Sequence, residues 1–220
     1  MIITGSKKIA SLFESAYVID KNKCLDEAVC THIDMNCCII DNTAFLPYGS
    51  AIKNLLASNG YIICEINEVL SKHYPYDVPL NCKSFGNTVI LNKKTVSKDI
   101  LNYCENKNKR IIDEPQGYAG CSTLMLSENA IITADKGIYN ETVKNNISSL
   151  LIKEGYIELK PYNYGFIGGA SGFIGDTLYF FGDITKHADY RKIDCFLAEN
   201  KIKYKYFDLP LTDIGGIIEI

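Results

Sequence analysis

The chain is poor in the features that mark several large protein classes. No apolar run approaches the ~18 residues of a membrane-spanning helix, so the sequence implies no membrane partner. Its three histidines are far apart and no two of its nine cysteines form a CxxC pair, which argues against a zinc site. A basic excess is also missing. The 220 residues carry a net charge of -3 with a pI near 5.7, which speaks against a nucleic-acid partner. No linker or low-complexity stretch interrupts the chain, so residues 1–220 read as a single domain. With no signal peptide ahead of them, the cysteines read as reduced thiols of a cytoplasmic protein, most of them small buried apolar side chains.

What the chain does have is a repeat. The stretch GFIGGASGFIGDTLYFFGD (165–183) carries the glycines of a nucleotide-binding loop, but an earlier stretch, GYAGCSTLMLSENAIITAD (117–135), overlays it without a gap. Gly117 falls on Gly165, Gly120 on Gly168 and Asp135 on Asp183, an offset of 48 residues (165 − 117). A phosphate loop needs a strand before it and a helix directly after it. Here the glycines run into an apolar stretch with a hairpin turn, so they belong to a repeat, as small residues where strands crowd together.

The remaining segments fit that period. Apolar stripes at helical spacing predict helices near 5–16, 49–60, 95–107, 137–155 and 186–200, with starts roughly 45 residues apart. In the fourth, Ile138, Val143, Ile147, Leu150 and Leu151 form the stripe and Gly155 stops it. Short strands follow at 17–20, 61–66, 110–113, 156–160 and 204–209. Hairpins precede the helices, with Asn42, Asn87, Asn129 and Asp176 in the turns. The unit is strand–strand–helix–strand. The final GGIIEI (215–220) supplies the first strand of a fifth unit and the initial MIITG its second, so pairing of the two ends closes a ring and removes the sheet edges.

Five such ββαβ units closed around an axis, together with the HIDM and GYAGCST stretches, resemble the pentein fold: an α/β five-unit ring, or β/α-propeller. The fold is that of the guanidino-group-modifying enzymes (arginine and agmatine deiminases, dimethylarginine hydrolases, amidinotransferases) and of the non-enzymatic ribosome anti-association factors. The resemblance is to an uncharacterised bacterial branch. It implies a hydrolase or transferase acting on a small cationic guanidino or amidino compound, through a covalent intermediate that needs no cofactor. The alternative on the same scaffold is a non-catalytic binding or interaction protein.

The repeat phase puts His32–Asp34, Asn81–Cys82, Cys121–Ser122, Gly169–Ser171 and Asp213–Gly216 at the axis. In THIDMN (31–36) a His and an Asp two residues apart on a strand share a face. The family carries such an HxD at a strand start, with the His as general acid/base. Its nucleophilic Cys follows a Gly-rich strand start near the C-terminus, where this chain reads DIGGIIEI with no Cys. Cys121, two units after His32, is then the candidate nucleophile if the site is permuted around the ring, with Cys82 as the other thiol. Asp34 with Asp213 or Glu219 would bind the cation and orient His32, and Asn81 and Ser171 would line the site. Asp213 has a second reading, as a cap on the turn amides of Gly215 or Gly216. A rival HxD, His187 and Asp189, lies at a helix start and reads as structural.

Overall fold

The computed structural model describes residues 1–220. Strand β1 (Ile2–Thr4), a one-turn helix α1 (Lys7–Ala10) and β2 (Ala16–Val18) come first. Four modules of one design follow. The first holds a helical turn α2 (Ile33–Asn36), β3 (Cys38–Ile40), β4 (Thr43–Leu46), α3 (Lys53–Ser58) and β5 (Ile62–Glu65). The second holds β6 (Lys83–Phe85), β7 (Thr88–Leu91), α4 (Lys98–Asn106) and β8 (Arg110–Asp113). The third holds α5 (Ala119–Ser122), β9 (Thr123–Ser127), β10 (Ala130–Thr133), α6 (Lys136–Lys144) and β11 (Ser148–Leu151). The fourth holds β12 (Ser171–Ile174), β13 (Thr177–Phe180), a 3-10 turn (Ile184–Lys186), α7 (Tyr190–Glu199) and β14 (Lys203–Tyr206), and β15 (Ile218–Glu219) comes last.

Each module makes a three-stranded sheet. Its middle strand runs antiparallel to the first strand and parallel to the third, which returns after the helix. The fifth sheet joins the two ends of the chain. β15 pairs antiparallel with β1, Ile2 opposite Glu219 and Ile3 opposite Ile218, and β1 pairs parallel with β2. The ring therefore closes as its terminal sequences predict. No helix is long and apolar enough to cross a membrane.

Local sequence explains these elements. The middle strands β4 (TAFL), β7 (TVIL) and β10 (AIIT) are buried along their whole length, as near-continuous apolar runs require. Hairpin turns place Asp41, Gly86 and Gly175 at φ of 53°, 52° and 54°, the left-handed region that Gly and Asp tolerate. Helices start on side-chain caps: Ser97 accepts from the Asp99 amide and Asp135 from the Ile138 amide. The core lies between neighbouring modules. Phe45 with Val89, Ile90 with Ile131, Ile132 with Phe180, and Ile3 with Ala44 mark four of the interfaces. Phe13, Tyr179 and Phe207, with ring centroids 5.5–6.0 Å apart, fill the fifth.

Three expectations are corrected. The helix predicted over 137–155 ends at Lys144, and Ser148–Leu151 forms β11 instead. Asn146, at φ 58°, breaks the helix, and Leu150 and Leu151 only imitate its spacing. Residues 156–160 form no strand of their own, and Glu158 makes a single bridge to Thr212. The gapless overlay of units three and four hides a slip: a bulge between Ala130 and Ile131 lengthens one hairpin by a residue.

Candidate functional site

The first strands of all five modules surround one cavity of about 270 Å³. Cys38, Lys83, Met125, Ser171 and Ile218 line it, one from each module. The segments that lead into those strands enclose a second cavity of about 260 Å³, to which His32, Asp77, Cys121, Phe166 and Asp213 contribute, again one per module. The strand starts run between the two: Cys121 faces the second cavity and its neighbour Gly120 the first.

His32 reaches this second, entry-side cavity because its segment is helical. Residues 33–36 form a turn rather than a strand, so the expected common face of His32 and Asp34 is lost. His32 and Met35 face the entry side, and Asp34 faces the strand-side cavity. The Asn36 side chain holds the turn by donating to the His32 carbonyl at 2.7 Å, and the Asp34 amide donates to the Gly215 carbonyl at 3.2 Å.

Asp213 caps the turn and also lines the entry-side cavity beside His32. Oδ1 accepts from the Gly215 amide at 3.0 Å and lies 3.6 Å from His32 Nδ1, while Oδ2 accepts from the Phe166 amide at 2.8 Å. It is 3 % exposed, and burial pushes its carboxyl up to about 6, with the His32 imidazole opposing the rise and Asp34 adding to it. At 3.6 Å the Asp213 and His32 side chains are within ion-pair range but beyond a hydrogen bond. Asp213 needs glycines around it. A Cβ on Gly169 would overlap Asp213 Oδ1, and Gly215, at φ 77°, runs hard against His32. The glycines of 165–172 therefore serve close approach to the site, and the chain after them enters the β12–β13 hairpin.

Cys121 lies in α5, 3 % exposed. Asn81 holds it on two sides: Oδ1 accepts from the amides of Gly120 (2.8 Å) and Cys121 (3.1 Å), and Nδ2 donates to Cys121 Sγ at 2.8 Å. Burial first, and then the charges of Asp34 and Asp213, push the thiol well above its usual range, and the Asn81 bond opposes them.

The other predicted residues lie elsewhere. Glu219 is exposed at the ring edge, where it accepts from the Gly175 amide at 2.8 Å, so it reaches neither cavity. Ser171 faces the strand-side cavity and donates to the Ile167 carbonyl at 2.7 Å. Cys82 also faces that side, with Sγ 3.0 Å from Cys38 Sγ. His187 is buried against the Lys153 carbonyl at 3.1 Å and accepts from the Asp189 amide. No three His, Cys, Asp or Glu side chains converge to hold a metal ion.

Sequence reasoning missed Asp77. It sits in the long connection before β6, 6 % exposed. The Tyr118 hydroxyl donates to Oδ2 at 2.6 Å, while Oδ1 is buried without a partner and the residue lines the entry-side cavity. A buried carboxylate oxygen left open in this way is a ready acceptor for a ligand N–H. The only sequence signal is an acid among aromatics and prolines in YPYDVP (74–79). Tyr118 stacks on Phe166 at 5.9 Å and neighbours Tyr74 at 6.2 Å, giving the cavity an aromatic wall.

The sequence matches, over residues 5–218, a family described as "Family of unknown function (DUF6873)". No curated protein sequence matches the chain. Among solved structures the chain is similar to a Cys-to-Ser variant of DDAH from Pseudomonas aeruginosa in complex with citrulline: TM-score 0.55, 9% identity, 94% of this chain and 91% of that one. It is similar to the agmatine deiminase of C. jejuni, at TM-score 0.54 and 11% identity over 94% and 74% of the two chains. A third likeness is to an arginine dihydrolase of the ornithine–ammonia cycle in cyanobacteria, at TM-score 0.53 and 11% identity, covering 93% of this chain and 36% of that one. The fold is the pentein fold.

Proposed function

We propose, for a chain that belongs to the DUF6873 family and has the pentein fold, that the entry-side cavity binds the guanidinium or amidinium group of a small molecule and that Cys121 attacks its central carbon. The observation that carries this reading is the convergence of one thiol, one imidazole and two carboxylates, Cys121, His32, Asp77 and Asp213, on a single cavity. The solved structures of like fold include proteins named for agmatine, arginine and dimethylarginine chemistry, which supports the ligand class.

Each group has a role its surroundings suit. Asp77 Oδ1, buried and open, accepts from the planar cation. Asp213, with both oxygens engaged, orients His32 and leaves Nε2 for proton transfer. Asn81 fixes the sulfur. Burial chiefly, and the carboxylate charges after it, hold Cys121 protonated; a bound cation offsets the second of these and so shifts the thiol towards the thiolate. The Cys121 proton passes to His32, a C–S bond forms, and the leaving amine departs with the proton from His32. Water, deprotonated by His32, then attacks the amidino carbon, the C–S bond breaks and the thiol is restored. Asp34, which the sequence suggests as the cation-binding partner, lines the other cavity and acts on the Cys121 thiol through its charge and by hydrogen bonding.

A second reading is a binding protein that does no chemistry, and it is favoured by the surroundings of Cys121, where burial and two carboxylates oppose ionisation of the thiol. Alkylation separates the two. The catalytic reading expects 2-chloroacetamidine to label Cys121 faster than iodoacetamide does, with the preference lost in His32→Ala. Equal, slow labelling of several cysteines by both reagents would leave only a binding scaffold.

A further inference from the structure

The strand-side cavity has polar chemistry of its own. Among its lining residues Asp34 is the only acid and Lys83 the only base. Both are half-buried and they come from neighbouring modules, Asp34 just ahead of β3 and Lys83 at the start of β6. No donor of the chain meets Asp34 Oδ1. Lys83 forms no ion pair, and its ammonium is disfavoured by burial and favoured through space by Asp34. A carboxylate and an ammonium that share a cavity without pairing each lack a partner. Much of the remaining wall is apolar, with Leu124, Met125, Phe173 and Ile217 in it. At about 270 Å³ the cavity falls below the ~300–1,000 Å³ of drug-sized sites, so it suits a small molecule. The entry-side cavity offers nothing comparable. Its acids Asp77 and Asp213 face no lysine or arginine, so a ligand carboxylate finds a counter-charge only on the strand side.

We propose that the strand-side cavity is a second binding site, for a small zwitterion, with its ammonium against Asp34, its carboxylate against Lys83 and a short alkyl group against Leu124, Met125 and Ile217. A small aliphatic amino acid has this chemistry. A ligand with a single charge would satisfy one side chain and leave the other unmet in a half-buried site, whereas the zwitterion satisfies both. The site is separate from that of the guanidinium and does not rest on the reaction proposed for Cys121.

The test uses ligands that differ by one charge. Glycine, L-alanine and L-valine are titrated calorimetrically into the native chain. Isobutylamine and 3-methylbutanoate, which are valine without its carboxylate and valine without its ammonium, are titrated beside them. The expected result is that the tightest of the three amino acids binds at least about tenfold more tightly than either singly charged analogue. Asp34→Asn and Lys83→Met should each remove most of that advantage, and Asp77→Asn, on the other face, should leave amino-acid binding unchanged. The comparison on the native chain decides the matter even where a variant fails to fold. Equal affinity of either analogue, or amino-acid binding that survives both Asp34→Asn and Lys83→Met, overturns the inference. So does failure of all three amino acids to bind, in which case Asp34 and Lys83 serve only to offset each other.

Discussion

The two cavities on either side of the strand starts are built from the same five segments and differ in almost everything else. The strand-side cavity is walled by β-strand residues and by Gly120, Gly168, Gly172, Gly215 and Gly216. It holds Asp34 with an unpartnered oxygen and Lys83, whose ammonium is disfavoured by burial and favoured by Asp34. The entry-side cavity is walled by side chains from loops, and five of its twelve lining residues come from 159–166 alone, which explains why its wall is aromatic and its polar groups are few. A symmetric scaffold thus gives five equivalent strand starts, and the unequal connections before β6 and β12 make the linings of the two faces differ.

The largest predicted contrast sets one thiol against the other. Cys121→Ala should abolish turnover of a guanidine substrate, a fall of at least about 10³-fold, whereas Cys82→Ala, on the opposite face, should leave kcat within a few-fold. Steady-state assays of both variants check this, and similar losses in the two would erase the distinction between the faces.

A smaller contrast sets two carboxylates against each other. Asp77→Asn should weaken binding of a guanidinium ligand by about 1–3 kcal/mol, the scale of one charge-assisted hydrogen bond, read as Kd by calorimetry. Glu219→Gln should leave Kd unchanged, because Glu219 sits at the ring edge. Equal effects would return Glu219 to the binding residues.

The smallest concerns pH. With Asp213 raised to about 6, its ionised form, which pairs with His32, is lost as pH falls through that value. The kcat/KM profile should therefore fall on its acid side near pH 6, and Asp213→Asn should remove that limb while lowering the plateau. The same shift bears on stability with the opposite sign: a buried carboxyl raised from its ordinary 3.8 makes the fold lose stability as pH rises from about 4 to about 6. Denaturation midpoints across that range check this separately from activity.

Much of the ring is legible in the sequence because its signals are local. Asn42, Asn87, Asn129 and Asp176 mark hairpin turns, TAFL, TVIL and AIIT mark doubly covered strands, and the apolar ends MIIT and IIEI belong to paired strands. Repeat phase also points to Cys121, His32 and Asp213, since strand starts meet wherever modules close around an axis. It fails for Asp77, which lies in an insertion that the repeat does not describe. The strand expected at 31–36 is also absent: a helical turn takes its place and puts His32 and Asp34 on different faces. The misread helix over 137–155 has the same root: Ile147, Leu150 and Leu151 keep helical spacing across Asn145–Asn146, where the backbone in fact turns.

Cation binding at the entry-side face is tested most directly by a crystal structure of the Cys121→Ser protein with a guanidine ligand. The guanidinium is expected in the cavity of His32 and Asp213, with an N–H within about 3 Å of Asp77 Oδ1 and its central carbon towards position 121. A guanidinium found instead beside Asp34 and Lys83, among the strands of the opposite cavity, would contradict it.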